Sequence, residues 1–450
     1  MNDATSLSLT QTIGLIKQKK ISTKEINNLY LKRIGKLNPK LNAFLSVNSK
    51  SDKIPAAIKD LISVKNLPMT LGSKILEGYI PPYNATVIER LITNGVSTIG
   101  KTNLDEFAMG SSGENSAYGS TKNPRNLKKV PGGTSSGSAV AVAADLCTFA
   151  LGTDTGGSIR QPASFCGVVG LKPSYGRVPR YGAQAMTSSL DQIGPITKTV
   201  EDARLVLNWI AGPDGFDNNC VEPNGQLKNN KRQNLKGLKI GIPIEYFTKG
   251  LDQGVEKVIN TALNKLKGLG AQIVEVSLPH TLFAIATYYL IVSSEISSNL
   301  ARYDGLRFGK GRGNFGPEPK RRIMLGTFAL SAGYFDDYFI KAAKVRTLIK
   351  QDFDKAFEKC DIIAGPVSPT VAWDLGEKNS DPLAMYLSDI YTIPASLAGI
   401  PGLSVPCGFS AGLPVGLQLL GKYMDEETLL SVGEIYQSAT DWCKEKPNLN

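Results

Sequence analysis

Histidine is nearly absent from this sequence, with His280 the single example among 450 residues. Histidine is the usual general base beside a serine or cysteine nucleophile, so a site of that kind far from residue 280 needs another base. A zinc centre is also disfavoured, because cysteines and carboxylates would have to supply nearly all of its ligands. Any catalysis in this chain therefore depends on other side chains.

Cysteines and long apolar runs are also scarce. The six cysteines are at positions 147, 166, 220, 360, 407 and 443. None forms a CxxC pair, which favours free thiols in a reducing compartment over a disulfide framework. No apolar run approaches the ~20 residues of a membrane-spanning helix. The polar residues 1–10 lead us to expect no secretory signal.

Positive charge exceeds negative charge. The chain carries 51 Lys and Arg residues against 40 Asp and Glu residues, a formal net charge of +11. This balance indicates either an acidic partner or nucleic acid nearby, or simply a solvated lysine-rich surface. The basic clusters at 17–24, 228–236 and 310–322 lack the interleaved aromatic residues of a groove for single-stranded nucleic acid.

Apolar and polar segments alternate in a way that predicts an α/β fold. Predicted strands lie at 54–60, 96–99, 148–151, 238–243, 271–277 and 362–364, with a hairpin at 402–407 and 414–420. Predicted helices lie at 7–19, 23–36, 139–144, 252–268, 282–300 and 336–358, with a last helix from 426. Ser22 and Glu25 form a capping-box pattern. The Asn- and Lys-rich residues 217–237 predict a flexible loop or hinge.

One nucleotide-binding pattern occurs in an unsuitable context. Residues 95–102 satisfy the P-loop pattern G-x-x-x-x-G-K-T. A phosphate-binding loop needs a strand before its first glycine and a helix after its Lys-Thr pair. Here a helical pattern ends at Asn94 and Gly95, and β-forming residues fill the supposed loop. We therefore interpret the segment as a helix–strand junction.

Two Gly/Ser-rich segments, 132–138 and 152–162, flank the apolar residues 139–151. They concentrate hydroxyls and exposed backbone N–H groups where a core helix and a strand would end. Within the second segment, Gly156 and Gly157 allow backbone N–H groups to approach a developing oxyanion, each such donor contributing roughly 3 kcal/mol. Taken alone, a Gly-Gly-Ser turn is more often a plain tight turn. Together the two segments indicate an acyl-transfer site with a nucleophile, a proton relay and an oxyanion hole.

Lys59 is the candidate base. A serine hydroxyl is a poor nucleophile until a base takes its proton, and the Ser–Lys arrangement does this without histidine. Lys59 follows the apolar, strand-like run 54–58, where burial would lower its pKa from the reference value of ~10.4. Asp60 would point to the other side of the strand and need not pair with it. Taken alone, such a lysine is more often a surface residue.

The block 131–162 resembles the amidase signature family, and the resemblance covers nearly the whole chain. It implies a mixed β-sheet between helices in one amidase domain spanning 1–450, with the helices of residues 1–50 on its outside. It also implies a Ser–cis-Ser–Lys triad, in which Ser158 is the nucleophile and Lys59 the base. The bridging position holds Thr134 where the family has serine, which leaves Thr134 and Ser135 as alternative relays.

Within that family, four segments resemble the glutaminase subunits of tRNA-dependent amidotransferases. They are residues 100–110, 189–195, 301–305 and 320–328. The resemblance implies that Arg322 and Asp389 hold the α-carboxylate and α-amino groups of glutamine, with Tyr288 nearby. A zwitterion does need one cation and one anion at fixed spacing. The oxyanion donors are expected to be the backbone N–H groups of Thr155, Gly156 and Gly157.

Partners and cofactors follow from the same resemblance. It implies a heterotrimer with a kinase-like B-type subunit, which uses ATP and Mg²⁺ on Glu-tRNA(Gln), and a small third subunit. This chain itself needs no cofactor, and Glu-tRNA(Gln) is expected to contact mainly the partner. A free-standing small-amide amidase and an inactive scaffold subunit remain alternatives. The basic composition and the short stretch 310–319 favour the mitochondrial matrix, with the bacterial cytoplasm as the alternative.

Overall fold

The computed structural model describes residues 4–222, 232, 234–306 and 309–449. Eleven strands are present in this part of the chain: β1 (Phe44–Val47), β2 (Ile54–Lys59), β3 (Val96–Thr102), β4 (Phe149–Asp154), β5 (Val169–Lys172), β6 (Gln192–Thr197), β7 (Lys239–Pro243), β8 (Gln272–Val276), β9 (Ile362–Pro366), β10 (Gly402–Ser410) and β11 (Leu413–Gly421). All of them belong to one sheet, in the order β1-β3-β2-β4-β6-β5-β10-β11-β9-β7-β8.

Helices surround this sheet. In the described residues they are α1 (Leu9–Lys17), α2 (Thr23–Leu41), α3 (Thr86–Thr93), α4 (Ser136–Ala143), α5 (Arg160–Cys166), α6 (Val200–Ile210), α7 (Gln253–Gly268), α8 (Ala284–Asn299), α9 (Pro317–Ala329), α10 (Lys341–Lys359), α11 (Pro382–Tyr386), α12 (Ile393–Leu397) and α13 (Glu426–Ser438). None of them is long and apolar enough to cross a membrane.

The sheet mixes parallel and antiparallel pairs. β2 runs parallel to both β3 and β4, whereas β6 pairs antiparallel with β4 and β5. The β10–β11 hairpin is antiparallel, and β7 pairs parallel with β8 and β9. Strands and helices alternate along much of the chain, which packs helices against the sheet. The predicted α/β class with a mixed sheet between helices is confirmed.

The N-terminal helices pack on this core much as their pattern predicts. Ser22 and Glu25 form the predicted capping box at the start of α2. Ile26 and Tyr30 on that helix are fully buried. Residues 44–47 add an edge strand, β1, paired antiparallel with β3, which the helical prediction for residues 1–50 did not include.

Two further predictions meet the structure only in part. The helix expected at 336–358 begins with a π-helical turn, Asp336–Ile340, before α10. In the segment 217–237, residues 223–231 and 233 lie outside the described residues. The flexible loop or hinge expected there stays a prediction.

The P-loop-like segment is a strand. β3 fills most of it, and its Lys101 is fully buried in an ion pair with Asp60, 2.9 Å from Nζ to Oδ1. The Asp60 carboxylate also accepts a hydrogen bond from the Thr70 hydroxyl at 2.7 Å. Lys101 therefore serves the core, and the interpretation of residues 95–102 as a helix–strand junction is confirmed.

Small residues let α4 enter the middle of the molecule. All eight of its residues are buried. A Cβ on Gly137 would lie 2.3 Å from the Ala43 carbonyl oxygen, so this position leaves no space for a side chain. This close packing brings the residues before α4 to the ends of β2 and β4, where the candidate site lies.

Candidate active site

The site forms where two parallel strands end. β2 ends at Lys59 and its neighbour β4 ends at Asp154. Because parallel strands point their carboxyl ends to the same edge of a sheet, the residues that follow them are close together. The loop after β4 carries Ser158 and leads into α5. The Gly/Ser-rich segment before α4 closes the same edge.

Lys59 lies in a cage of hydroxyl groups. Its Nζ is 2.6 Å from Thr134 Oγ1, 3.0 Å from Ser135 Oγ and 3.0 Å from Thr153 Oγ1. The side chain is fully buried. Burial lowers the pKa of Lys59 to about 7, although the carboxylate of Asp105 acts to raise it. A substantial fraction of the amine is therefore neutral near pH 7 and available as a base.

Two hydroxyls beside Lys59 differ in the bonds they make. Ser135 Oγ donates to the Thr153 carbonyl at 3.1 Å and accepts from the Thr153 N–H at 3.2 Å, so its proton is already committed. Thr134 Oγ1 has Lys59 as its hydrogen-bond partner within the described part of the chain. A hydroxyl carries one proton and two lone pairs. Of these two candidate relays, Thr134 is therefore the one that keeps a proton and a lone pair available.

The backbone before Thr134 is tightly enclosed. The Gly133–Thr134 peptide bond is cis. A Cβ on Gly133 would lie 2.2 Å from Asp105 Oδ2 and 2.7 Å from the Ser112 nitrogen, so no side chain fits at this position. The Gly133 N–H donates to Gln161 Oε1 at 3.0 Å.

Asp154 and Arg160 shape the loop that carries Ser158. The Asp154 carboxylate accepts hydrogen bonds from the backbone N–H groups of Gly157 at 2.8 Å and Ile159 at 3.2 Å. It also accepts from Arg160 Nε and Nη2, each at 2.9 Å, and both side chains are fully buried. Burial acts to raise the pKa of Asp154, but the Arg160 guanidinium outweighs it and holds the pKa below its usual value.

Ser158 keeps a small exposed fraction. It is 9% exposed, whereas Lys59 and Thr134 are fully buried. Its carbonyl oxygen accepts the Ser135 N–H at 3.0 Å, which ties the serine loop to the relay segment. Ser158 is thus the most exposed of the three residues of the expected triad.

The three predicted oxyanion donors differ in their present partners. The Gly157 N–H is committed to Asp154, as described above. The N–H groups of Thr155 and Gly156 have no acceptor among the described residues. The Thr155 hydroxyl donates to Asp191 Oδ1 at 2.7 Å, which orients that residue. Within the described residues, Thr155 and Gly156 thus have N–H groups without a protein acceptor, whereas the Gly157 N–H holds the shape of the loop.

Two of the predicted substrate residues flank the same loop. A Cβ on Gly156 would lie 2.7 Å from the Tyr288 hydroxyl, and a Cβ on Gly157 would lie 3.2 Å from Asp389 Oδ1. Tyr288 and Asp389 are both buried. Burial raises the pKa of the Tyr288 hydroxyl, so it stays protonated at physiological pH. The two glycines thus admit both side chains close to the backbone beside Ser158.

Arg322 completes the group from helix α9. Its Nε donates to Glu318 Oε1 at 2.8 Å, and its guanidinium lies over the ring of Tyr289, 5.0 Å from the centroid. In the described part of the chain, no side-chain or backbone acceptor bonds to its Nη atoms. Burial acts to lower the pKa of Arg322, but the effects of Tyr289 and Glu318 are larger, so the pKa lies above its usual value. The charged fork is thus available for a carboxylate.

Asp389 is the matching anion. Its Oδ2 accepts from the Ser111 hydroxyl and its Oδ1 accepts from Gln161 Nε2 at 2.8 Å. Burial raises its pKa to about 7, while the Ser111 hydrogen bond acts to lower it. The oriented carboxylate lies beside the Ser158 loop and is close enough to the Arg322 guanidinium for the two charges to interact, so one cation and one anion are present as a zwitterionic ligand requires.

Sequence reasoning did not assign several of these groups. Asp154, Arg160 and Gln161 lie inside the motif 152–162, where only residues 155–158 were given roles. Ser111 and Thr153 carried no signal of their own, because their roles depend on contacts between distant segments. His280 contacts Asp352 of α10, 2.9 Å from Nδ1 to Oδ1.

Comparison with known proteins identifies the family. Residues 25–430 match the Amidase family. The A-type subunit of glutamyl-tRNA(Gln) amidotransferase from Caldanaerobacter subterraneus is 50% identical over 96% of both chains, and that from Geobacillus kaustophilus is 51% identical over 98% of this chain and 99% of the relative. The crystal structure of the Thermotoga maritima counterpart superposes with a TM-score of 0.87 at 43% identity, covering 98% of this chain and 96% of that one. The chain therefore belongs to the amidase family and is similar over nearly its whole length to the A-type subunits of glutamyl-tRNA(Gln) amidotransferases.

Proposed function

We propose that this chain is the glutaminase subunit of a tRNA-dependent amidotransferase. It hydrolyses the side-chain amide of glutamine and supplies ammonia for the conversion of Glu-tRNA(Gln) to Gln-tRNA(Gln). The observation that carries the proposal is the 2.6 Å contact between Lys59 Nζ and Thr134 Oγ1, buried directly behind the loop of Ser158. The similarity to the A-type subunits of such enzymes supports the choice of substrate.

The chemistry begins at Ser158. Its hydroxyl oxygen attacks the amide carbon of glutamine while its proton passes through Thr134 to neutral Lys59. The tetrahedral oxyanion accepts hydrogen bonds from the Thr155 and Gly156 N–H groups. The proton returns from Lys59 through Thr134 to the leaving nitrogen, the C–N bond breaks and ammonia departs.

Water completes the cycle. It gives a proton to the same relay and adds its oxygen to the glutamyl ester on Ser158, which releases glutamate and restores the serine hydroxyl. Because the relay accepts a proton in one half-reaction and donates it in the other, it needs a pKa near the working pH. A pKa of Lys59 of about 7 meets that need.

Substrate recognition uses the two charges beside the loop. Arg322 binds the α-carboxylate of glutamine and Asp389 binds its α-ammonium group. Tyr288 lies against Gly156 and supplies a protonated hydroxyl between them. The amide then reaches Ser158 in a fixed orientation, which converts binding energy into alignment of the reacting atoms.

The proposal extends to partners and location. A B-type subunit carries ATP and Mg²⁺ and acts on Glu-tRNA(Gln), and a small third subunit completes a heterotrimer, so this chain itself carries no cofactor. The relatives compared above come from bacteria, which supports the bacterial cytoplasm as the location. The mitochondrial matrix, favoured by composition, stays a prediction.

The test compares two nitrogen sources in the complex that co-purifies with this chain. We expect Ser158→Ala to abolish Gln-tRNA(Gln) formation from glutamine while formation from ammonium chloride continues. Glutamine-dependent product from the Ser158→Ala complex would refute the nucleophile. An amide other than glutamine as the preferred donor would indicate a free-standing amidase. Absence of turnover in the wild-type complex would indicate a scaffold subunit.

A further inference from the structure

Gln161 links two parts of the site that the reaction uses separately. Its Oε1 accepts the N–H of Gly133 at 3.0 Å, one residue before Thr134. Its Nε2 donates to Asp389 Oδ1 at 2.8 Å and to Ser388 Oγ at 3.1 Å. The side chain is fully buried, so water does not replace these bonds.

The oxygen and the nitrogen of the Gln161 side-chain amide are each assigned by their hydrogen-bond partners. A backbone N–H only donates and an ionised carboxylate only accepts, so the oxygen of Gln161 must face Gly133 and its nitrogen must face Asp389. Few other side chains present an acceptor and a donor at this spacing. The backbone N–H of Gln161 donates to the Gly157 carbonyl at 2.8 Å, which fixes the main chain of Gln161 beside the Ser158 loop.

Asp389 has a second hydrogen bond on its other oxygen. Ser111 donates to Oδ2, and the loop that carries Ser111 is fixed by Asp105, whose carboxylate accepts the Gly113 N–H at 3.0 Å. The same Asp105 carboxylate packs against Gly133. The carboxylate of Asp389 is therefore oriented from both sides by groups that also enclose the relay segment.

We propose that Gln161 is a positioning residue that couples occupancy of the α-ammonium site at Asp389 to the alignment of the Thr134 relay. Resting on the proposed function, this inference adds a basis for substrate choice. An amide with an α-ammonium group neutralises Asp389 and holds its carboxylate in place, and Gln161 transmits that order to Gly133. An amide without this group leaves the hydrogen-bonded chain Asp389–Gln161–Gly133 less constrained and reacts more slowly.

The experiment uses glutamine and glutaramate, which is glutamine without its α-amino group. The ratio of their kcat/KM values in the co-purified complex measures the contribution of the α-ammonium group. Gln161→Met keeps approximately the volume of the side chain and removes its three hydrogen bonds, to Gly133, Asp389 and Ser388. We expect the ratio to fall roughly 10- to 100-fold, as for loss of a hydrogen bond to a charged group, and kcat for glutaramate to fall as well.

Ser111→Ala separates the two ends of the Gln161 side chain. It weakens the orientation of Asp389 and leaves the Gly133–Gln161 bond in place, so the ratio falls while kcat for glutaramate falls less than in Gln161→Met. Gln161→Leu also lacks the acceptor for Gly133 and the donor to Asp389, and it serves if Gln161→Met does not fold.

The matched control is Gln437→Met. Gln437 also bridges two backbone groups, accepting the Val200 N–H at 2.8 Å and donating to the Lys198 carbonyl at 3.3 Å, on helix α13. It should leave the ratio unchanged. Equal loss of kcat/KM for both amides in the Gln161 variants would reduce Gln161 to a structural residue and overturn the proposal. A wrong glutaminase assignment gives a different result, because the wild-type complex itself would then fail to hydrolyse glutamine.

Discussion

Lys59 Nζ and Thr134 Oγ1 are 2.6 Å apart in a site from which water is excluded. The neighbouring Ser135 hydroxyl already gives its proton to the Thr153 carbonyl. Of the two candidate relays, Thr134 is therefore the one whose hydroxyl proton is not committed to another group. This relationship is the basis of the predictions for the relay.

The first prediction concerns the relay. Thr134→Val keeps the shape of the side chain and removes its hydroxyl, so glutaminase activity should fall at least about 100-fold, the usual contribution of a positioned acid–base group. Thr134→Ser should retain activity. Initial rates of ammonia release check both variants. Activity that survives in Thr134→Val and disappears in Ser135→Ala would transfer the relay to Ser135.

The second prediction is a pH dependence. Burial lowers the pKa of Lys59 to about 7 and raises that of Asp389 to about 7. The reactive forms are neutral Lys59 and ionised Asp389, and both become populated as the pH rises through 7. The kcat/KM for glutamine should therefore rise from pH 6 to pH 8.

The control for this profile is Lys59→Arg, which places a permanent cation at the position of the base and should be inactive at every pH. Fitting kcat and kcat/KM separately against pH distinguishes the relay from substrate binding. A flat wild-type profile over the same range would contradict the assignment of Lys59 as the base.

The third prediction concerns the two charges that bind the substrate. Asp389→Asn and Arg322→Met each remove one charge of a buried pairing with the zwitterion, and KM for glutamine should rise on the order of 100-fold in each. Steady-state kinetics with glutamine measure the effect. Loss of kcat at unchanged KM in both variants would mean that these residues do not bind the substrate.

The fourth prediction concerns stability. Arg160 also donates from Nη1 to the Thr392 carbonyl and to Gln418 Oε1, both at 2.9 Å, so it joins the Ser158 loop to β11 and to the residue before α12. Arg160→Met leaves the buried Asp154 without its counter-charge. The free energy of unfolding should fall by about 3–5 kcal/mol, as measured by chemical denaturation.

The matched control is Lys350→Met. Lys350 pairs with Asp354 at 2.6 Å, but more than half of each side chain is exposed. Such exposed pairs contribute about 0–1 kcal/mol, so the variant should unfold close to the wild type. An Arg160→Met protein as stable as this control would contradict the structural role assigned to the buried pair.

The sequence predicted the α/β fold and the buried strand that ends at Lys59 because their signals are local, whereas the relay was implied by the resemblance. The apolar run before Lys59 identifies a buried strand, and the glycines before Ser158 mark a loop with free N–H groups. The resemblance then joined segments that lie far apart. The burial of Lys59 among the hydroxyls of Thr134, Ser135 and Thr153 was beyond prediction from spacing, because it depends on the register of β2 against β4.

The contacts of Gln161 show more clearly which features of the site cannot be predicted from the sequence. Its partners Gly133 and Asp389 are 28 and 228 residues away in sequence. No periodicity or capping signal connects such positions, and a glutamine in a helix is unremarkable by composition. The different roles of the Gly157 and Gly156 N–H groups depend likewise on the Asp154 carboxylate, whose orientation is set by Arg160.

The most direct measurement of the central claim is ammonia release from glutamine by the chain purified with its co-purifying subunits, wild type beside Ser158→Ala. The replacement of Ser158 by alanine removes one oxygen atom with little effect on packing. We expect steady release by the wild type and none above background in a folded Ser158→Ala complex. Release at the wild-type rate from the variant would contradict it.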